Sequence, residues 1–246
     1  MVHDDAAPTA REAASPVRRW AVRLGLVVAV SVLAAAVLRA VIGELYLIPS
    51  GSMEPTLLPG DRISVDRNAA GGDGVEVGDV VVFDARGSLA PYRSQTALER
   101  GVEETLVWWG AAARQDVYVK RVLALGGDTL RCCTQNGALE RNGQPVAEPY
   151  LGREVSAEDS ASSVAFEFEV PAGHMVVLGD HREDSRDSRS LLGAPGGGLI
   201  RLDTVIGTAE DIVWPISRRG GVPDVEAEDT EPAQTAPAPT GTGPRP

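Results

Sequence analysis

Residues 164–170 read VAFEFEV. Val164, Phe166, Phe168 and Val170 alternate with Ala165, Glu167 and Glu169, and a period of two with apolar groups on one side predicts a strand with one buried and one wet face. Outward from it the same texture repeats in RISVDR (62–67), DVVVFDA (79–85), DVYVKRVLAL (116–125) and HMVVLGD (174–180), short β-type runs separated by Gly, Asp and Pro. The expected fold class is therefore mainly β: an antiparallel β-sheet body over residues 43–217. Two stretches interrupt the pattern and are read as insertions, 86–115 around LVWWG and 131–163, which is polar and turn-rich around NGALERNGQP. From residue 218 to 246 Gly, Pro, Thr and acidic residues dominate. Too little apolar surface is available there to offset the cost of ordering the chain, so a disordered tail is expected.

The 246 residues are 43% hydrophobic and 24% charged, a globular composition that excludes fibrous and wholly disordered chains. Asp and Glu number 35 against 23 Lys and Arg, a net charge of -12, so no basic face is available for a phosphate backbone and nucleic acid is not an expected partner. Of those 23 basic residues only Lys120 is a lysine. The two cysteines, Cys132 and Cys133, match no zinc-ligand spacing, and no metal or cofactor is expected. Adjacent Cα atoms lie about 3.8 Å apart across a trans peptide, below the usual disulfide range, which makes free thiols the plainer reading and a vicinal bridge the alternative.

Ahead of the body, residues 1–19 are polar and carry Arg11, Arg18 and Arg19, and residues 20–42 are predominantly apolar. That run reaches the roughly 20 residues a helix needs to cross a bilayer, with Arg23 and Arg39 able to snorkel to opposite faces. One N-terminal transmembrane helix is expected, a cleaved secretory signal being the alternative. Arginines on the near side place the N terminus in the cytoplasm and the β body outside the cell membrane.

LIPSGSMEPTL (47–57) follows at once, with Pro49, Gly51 and Pro55 shaping a tight turn around Ser50 and Ser52. A serine hydroxyl becomes a useful nucleophile only when a neighbouring base takes its proton. The candidates are the histidines, the carboxylates and Lys120. Arginine stays protonated, whereas a lysine in apolar surroundings can become neutral, so deprotonation is a task for which the background arginine cannot substitute. Lys120 lies between Val119 and Val122 in a strand expected to be buried, surroundings that lower an ammonium pKa.

Four blocks in order behind an apolar segment, PSGSMEPTL (49–57), GDRISVDR (60–67), YVKRVLALGGD (118–128) and GDHREDSRDSR (179–189), resemble those of the bacterial type I signal peptidases. The resemblance implies a membrane-anchored serine endopeptidase that removes N-terminal signal peptides from exported preproteins, with preproteins and the lipid bilayer as partners. It implies Ser52 as nucleophile and Lys120 as general base, with the Ser50 hydroxyl and Ser52 amide as the oxyanion hole. It further implies that Ser185 orients the lysine, and that Asp180 pairs with Arg121 and Asp187 with Arg189. Ile48, Met53, Leu57, Tyr118 and Val119 match the substrate-cleft wall, with plain core packing as their other reading. His181 stands where the family usually has Asn. Two alternatives remain: a Ser/His/Asp hydrolase using Ser52 with His181 or His174, and a non-enzymatic envelope protein whose β body binds peptide or cell wall.

Overall fold

The computed structural model describes residues 16–42, 45–89, 96–108, 114 and 116–223. The elements run α1 (Pro16–Ile42), β1 (Leu45–Leu47), β2 (Arg62–Asp66), β3 (Val80–Asp84), α2 (Ala97–Trp108), β4 (Val117–Leu125) and β5 (Thr129–Cys132). They continue with β6 (Leu139–Arg141), β7 (Gln144–Pro145), β8 (Phe166–Glu169), β9 (His174–Leu178), β10 (Ile200–Arg201), β11 (Val205–Trp214) and β12 (Gly220–Gly221). Two units are distinguished, residues 1–44 and 45–246.

In the first unit α1 is a 27-residue helix, about 40 Å long at roughly 1.5 Å per residue. Its side chains from Leu24 to Leu33 are exposed. Among the described residues no helix is long and apolar enough to cross a membrane. Three arginines, Arg18, Arg19 and Arg23, occupy its first third, and its side chains beyond residue 35 lie outside the described set.

The second unit is built on antiparallel pairing, as the alternating pattern requires. Its larger sheet has the order β1-β2-β11-β3-β4-β9-β10, with β12 on the flank of β11, and a smaller sheet has the order β7-β6-β5-β8. β3 shows why the VVVF run is apolar throughout: Val81 and Phe83 enter one core cluster while Val80 and Val82 enter another, so both faces of this strand are buried. In β8, Phe166 and Phe168 are buried and Glu167 and Glu169 exposed, as expected, although Val164 ahead of the strand is exposed. The smaller sheet covers a third cluster containing Leu130, Leu139, Phe166, Phe168, Val176 and Leu178.

Within the stretch 131–163, read as an insertion, β6 and β7 complete the smaller sheet and Leu139, Tyr150 and Leu151 are buried. Two expectations change. Cys132 and Cys133 are joined as a disulfide, not held as thiols. The chain also stays in the fold beyond residue 218: β12 pairs with β11, and Val222 is 4% exposed in the same cluster as Met53 and Leu57. Residues 224–246 of the expected tail lie outside the described residues.

Candidate active site

The β1–β2 connection carries Ser52. Ile48, Met53 and Leu57 anchor it from below in the cluster shared with Ile63, Val80 and Val82. Between these anchors the Glu54 amide donates to the Gly51 carbonyl at 2.9 Å, closing a turn with Ser52 at its second position. Lys120 sits in β4 opposite Val81 of β3 and is 2% exposed. Its Nζ lies 2.5 Å from Ser52 Oγ and 2.9 Å from the Val119 carbonyl. Burial is the main cause that brings the lysine pKa down from 10.5 to about 8; Asp187 and Asp180 pull it up, and Arg189 adds to the lowering.

The segment 179–189 braces this pair. Arg121 meets Asp180 in a two-pronged ion pair, Nε to Oδ1 at 3.0 Å and Nη2 to Oδ2 at 2.8 Å, with both side chains fully buried. The remaining Arg121 nitrogen donates to the carbonyls of Gly78 (2.7 Å) and Pro223 (3.0 Å), and its guanidinium lies 4.1 Å from the centre of the Tyr150 ring. A buried guanidinium is tolerable only when its donors are satisfied in this way. Arg189 grips Asp187 similarly, at 2.9 and 2.7 Å, while the Gly179 amide donates to Asp187 Oδ2 at 3.0 Å. Burial pushes the Asp187 carboxyl up, and the hydrogen bond and charge of Arg189 outweigh it, leaving its pKa below the ordinary value. Both ion pairs expected from the sequence are formed.

Gly179 is required sterically. A methyl group there would run into Ser185 Oγ and the Ser52 carbonyl. Ser185 Oγ is buried beside it without a well-formed hydrogen bond, and its electrostatic partner is the Asp187 carboxylate. Its expected bond to the lysine is therefore not made in this structure; the Val119 carbonyl holds Nζ beside Ser52 Oγ instead. Ser50 is exposed, with its hydroxyl 3.5 Å from Ser52 Oγ. Of the expected cleft residues, Ile48, Met53 and Leu57 are at most 3% exposed and serve as core beneath the loop. Tyr118 and Val119 are half-buried.

Neither histidine is placed as the base. His174 Nδ1 faces the Ala172 carbonyl at 3.1 Å, and His181 Nδ1 faces the Gly51 carbonyl at 3.2 Å. Other supports were not anticipated. Thr56 donates to Asp180 at 2.5 Å, Arg182 pairs with Glu148 in the interior, and Tyr150 donates to the same Glu148 at 2.7 Å. Arg218 grips Asp61 at 3.1 and 3.2 Å and donates to the Thr56 carbonyl at 3.1 Å, fastening the far end of the Ser52 loop.

Comparison with known proteins matches residues 18–214, which include every group just described up to β11, to the family "Signal peptidase, peptidase S26". The chain belongs to that family. It is 37% identical over 210 residues to a probable signal peptidase I of Mycobacterium leprae, covering 74% of this chain and 72% of the relative. Signal peptidase I T of Bacillus subtilis is 29% identical over 213 residues, covering 85% of this chain and 91% of its own. A crystal structure of a signal peptidase I from Enterococcus faecalis aligns with 55% of this chain and 95% of its own length, at 23% identity and a TM-score of 0.36. Membership makes the chain a hydrolase of the peptidase S26 family.

Proposed function

We propose that this chain is a membrane-anchored serine endopeptidase that cleaves signal peptides from exported preproteins after small residues. The observation that carries the reading is the 2.5 Å approach of Lys120 Nζ to Ser52 Oγ by a lysine whose pKa is lowered to about 8. In the neutral fraction the amine accepts the hydroxyl proton as Ser52 Oγ attacks the scissile carbonyl. The lysinium then returns that proton to the departing amine, leaving an acyl-enzyme on Ser52. A water deprotonated by the same amine hydrolyses the ester. The Ser52 amide and the Ser50 hydroxyl receive the developing oxyanion, with Ser50 turning from its present 3.5 Å approach to Ser52 Oγ. Ser185 keeps a lysine-orienting role in this scheme by swinging toward Nζ when the site is occupied. Tyr118 and Val119 of β4 supply the accessible edge along which an extended peptide lies.

Anchoring by residues 20–42, with the N terminus in the cytoplasm and the body outside, rests on the apolar run and the arginines before it. Ser52 follows Ile42 by ten residues, at most about 35 Å of extended chain, which keeps the nucleophile near the bilayer surface where a signal peptide ends. The test is processing of a preprotein by wild type, Ser52→Ala and Lys120→Arg. Both variants should be folded and inactive, because guanidinium cannot take the serine proton. Wild-type kcat/KM should rise with pH through an apparent pKa near 8. Cleavage by Lys120→Arg would remove the lysine from the role of base.

A further inference from the structure

His181 touches the nucleophile loop twice. Its backbone amide donates to the Ser52 carbonyl at 3.2 Å, and its ring Nδ1 lies 3.2 Å from the Gly51 carbonyl. One residue thus holds the carbonyls on both sides of the Ser52 backbone. A carbonyl oxygen can only accept, so the ring contact fixes the proton on Nδ1. That donor is present in the Nδ1–H neutral tautomer and in the cation alike.

The Gly51 carbonyl and the Ser52 amide belong to a single planar peptide unit, in which C=O and N–H point in opposite directions. Whatever aims the carbonyl therefore aims the amide. Two donors converge on this oxygen, the Glu54 amide at 2.9 Å from within the turn and His181 Nδ1 from the opposing segment. The turn bond travels with the loop, whereas the ring bond ties the peptide plane to the rest of the domain. The ring's own base is rigid: Asp180 and Arg182 on either side are 3% and 4% exposed, locked into ion pairs with Arg121 and Glu148.

We infer that His181 is a positioning residue that aims the Ser52 amide at the oxyanion by holding the Gly51 carbonyl through Nδ1–H. The inference rests on the reading of Ser52 as nucleophile and its amide as an oxyanion donor. It also accounts chemically for the departure at this position: an asparagine side chain carries a nitrogen one bond beyond Cγ, where the imidazole carries Nδ1, so each can present an N–H to the same carbonyl.

The experiment uses the full-length protein in detergent micelles with a synthetic preprotein-derived peptide. It compares wild type, Ser52→Ala, His181→Phe, which keeps a ring without the donor, His181→Ala, and His181→Asn, which keeps the donor without the ring. Removing an oxyanion donor outright costs about 100- to 1,000-fold in kcat, and loosening one whose peptide retains the Glu54 bond should cost about tenfold, the equivalent of one net hydrogen bond. His181→Phe and His181→Ala should therefore lose about tenfold in kcat with KM within about twofold of wild type. A peptide aldehyde, whose adduct with Ser52 places an oxyanion in the same hole, should bind these variants weaker by the same factor. His181→Asn should stay within about threefold of wild type. Unchanged kcat in folded His181→Phe while Ser52→Ala is inactive would overturn the inference and leave the nucleophile assignment standing. So would a His181→Asn enzyme as impaired as His181→Phe, since packing of the ring would then be the cause. Cleavage by Ser52→Ala would remove both.

Discussion

Replacing Lys120 by Met should make the protein more stable near neutral pH while abolishing its activity. A fall in lysine pKa from 10.5 to about 8 means that the folded state disfavours the ammonium by about 3 kcal/mol, at about 1.4 kcal/mol for each tenfold change in proton affinity. The sign follows from proton counting. Between pH 8 and 10.5 the unfolded chain holds a proton on this side chain that the folded chain has released, so wild-type stability gains from this group as pH rises. Below pH 8 both states are mostly protonated and the full penalty applies. Methionine has a similar reach and no charge. Its variant loses the contacts of Nζ with Ser52 Oγ and the Val119 carbonyl, together about 1–3 kcal/mol at any pH. The cleaner quantity is the pH dependence of the difference between the two proteins, from which such constant terms cancel. Urea unfolding of both full-length proteins at pH 7 and pH 10.5 should show the advantage of Lys120→Met over wild type shrinking by about 3 kcal/mol. A difference that stays flat across this interval would refute the argument that burial depresses this lysine.

Gly179→Ala should lose activity far out of proportion to stability, because the new methyl group is directed at Ser185 Oγ and the Ser52 carbonyl; thermal unfolding set beside kcat/KM separates the two effects. Asp187→Asn should cost about 3–5 kcal/mol at pH 7 by stranding the buried Arg189. Because the Asp187 pKa is lowered from 3.8, its contribution is present above about pH 4 and is lost as pH falls through the folded value, so acid titration of the variant should show a shallower loss of stability in that range. Ending the chain after residue 217 should lower the unfolding midpoint by several degrees and weaken catalysis, since Arg218, Val222 and the Pro223 carbonyl all bind the body.

The five strands read from short β-type runs are where the sequence puts them, but β11, which lies between β2 and β3 in the larger sheet, escapes that reading. Its buried residues are Val205, Gly207 and Ala209, and then Ile212. The alternation slips from odd to even across a register shift between Ala209 and Asp211, so no single phase fits the strand. Gly207, which looks like a breaker, is needed because a side chain there would strike the Asp66 carbonyl of the neighbouring strand. The same limits apply at the site. Ser52, Lys120 and the two aspartate–arginine pairs lie in short recognisable blocks. The Val119 carbonyl, the Pro223 carbonyl and the Gly51 peptide act through the main chain, which residue identity does not encode. Glu148 and Arg182 are 34 positions apart. Each looks like an ordinary solvated charge until the fold buries them together.

The partners of Arg121 also impose an order in time. The guanidinium beside Lys120 is satisfied by Gly78, Asp180 and Pro223, and the Ser52 loop is fastened by Arg218. Ribosomes make these residues from first to last. A nascent chain long enough to contain both Ser52 and Lys120 still lacks the carbonyl and the clamp supplied a hundred residues later. Until the final strap arrives, Arg121 has an unfilled donor in the interior and the loop is held at one end only. The site is thus held in its finished form only once residues 218–223 have been added, and shorter nascent chains carry Ser52 and Lys120 without that frame.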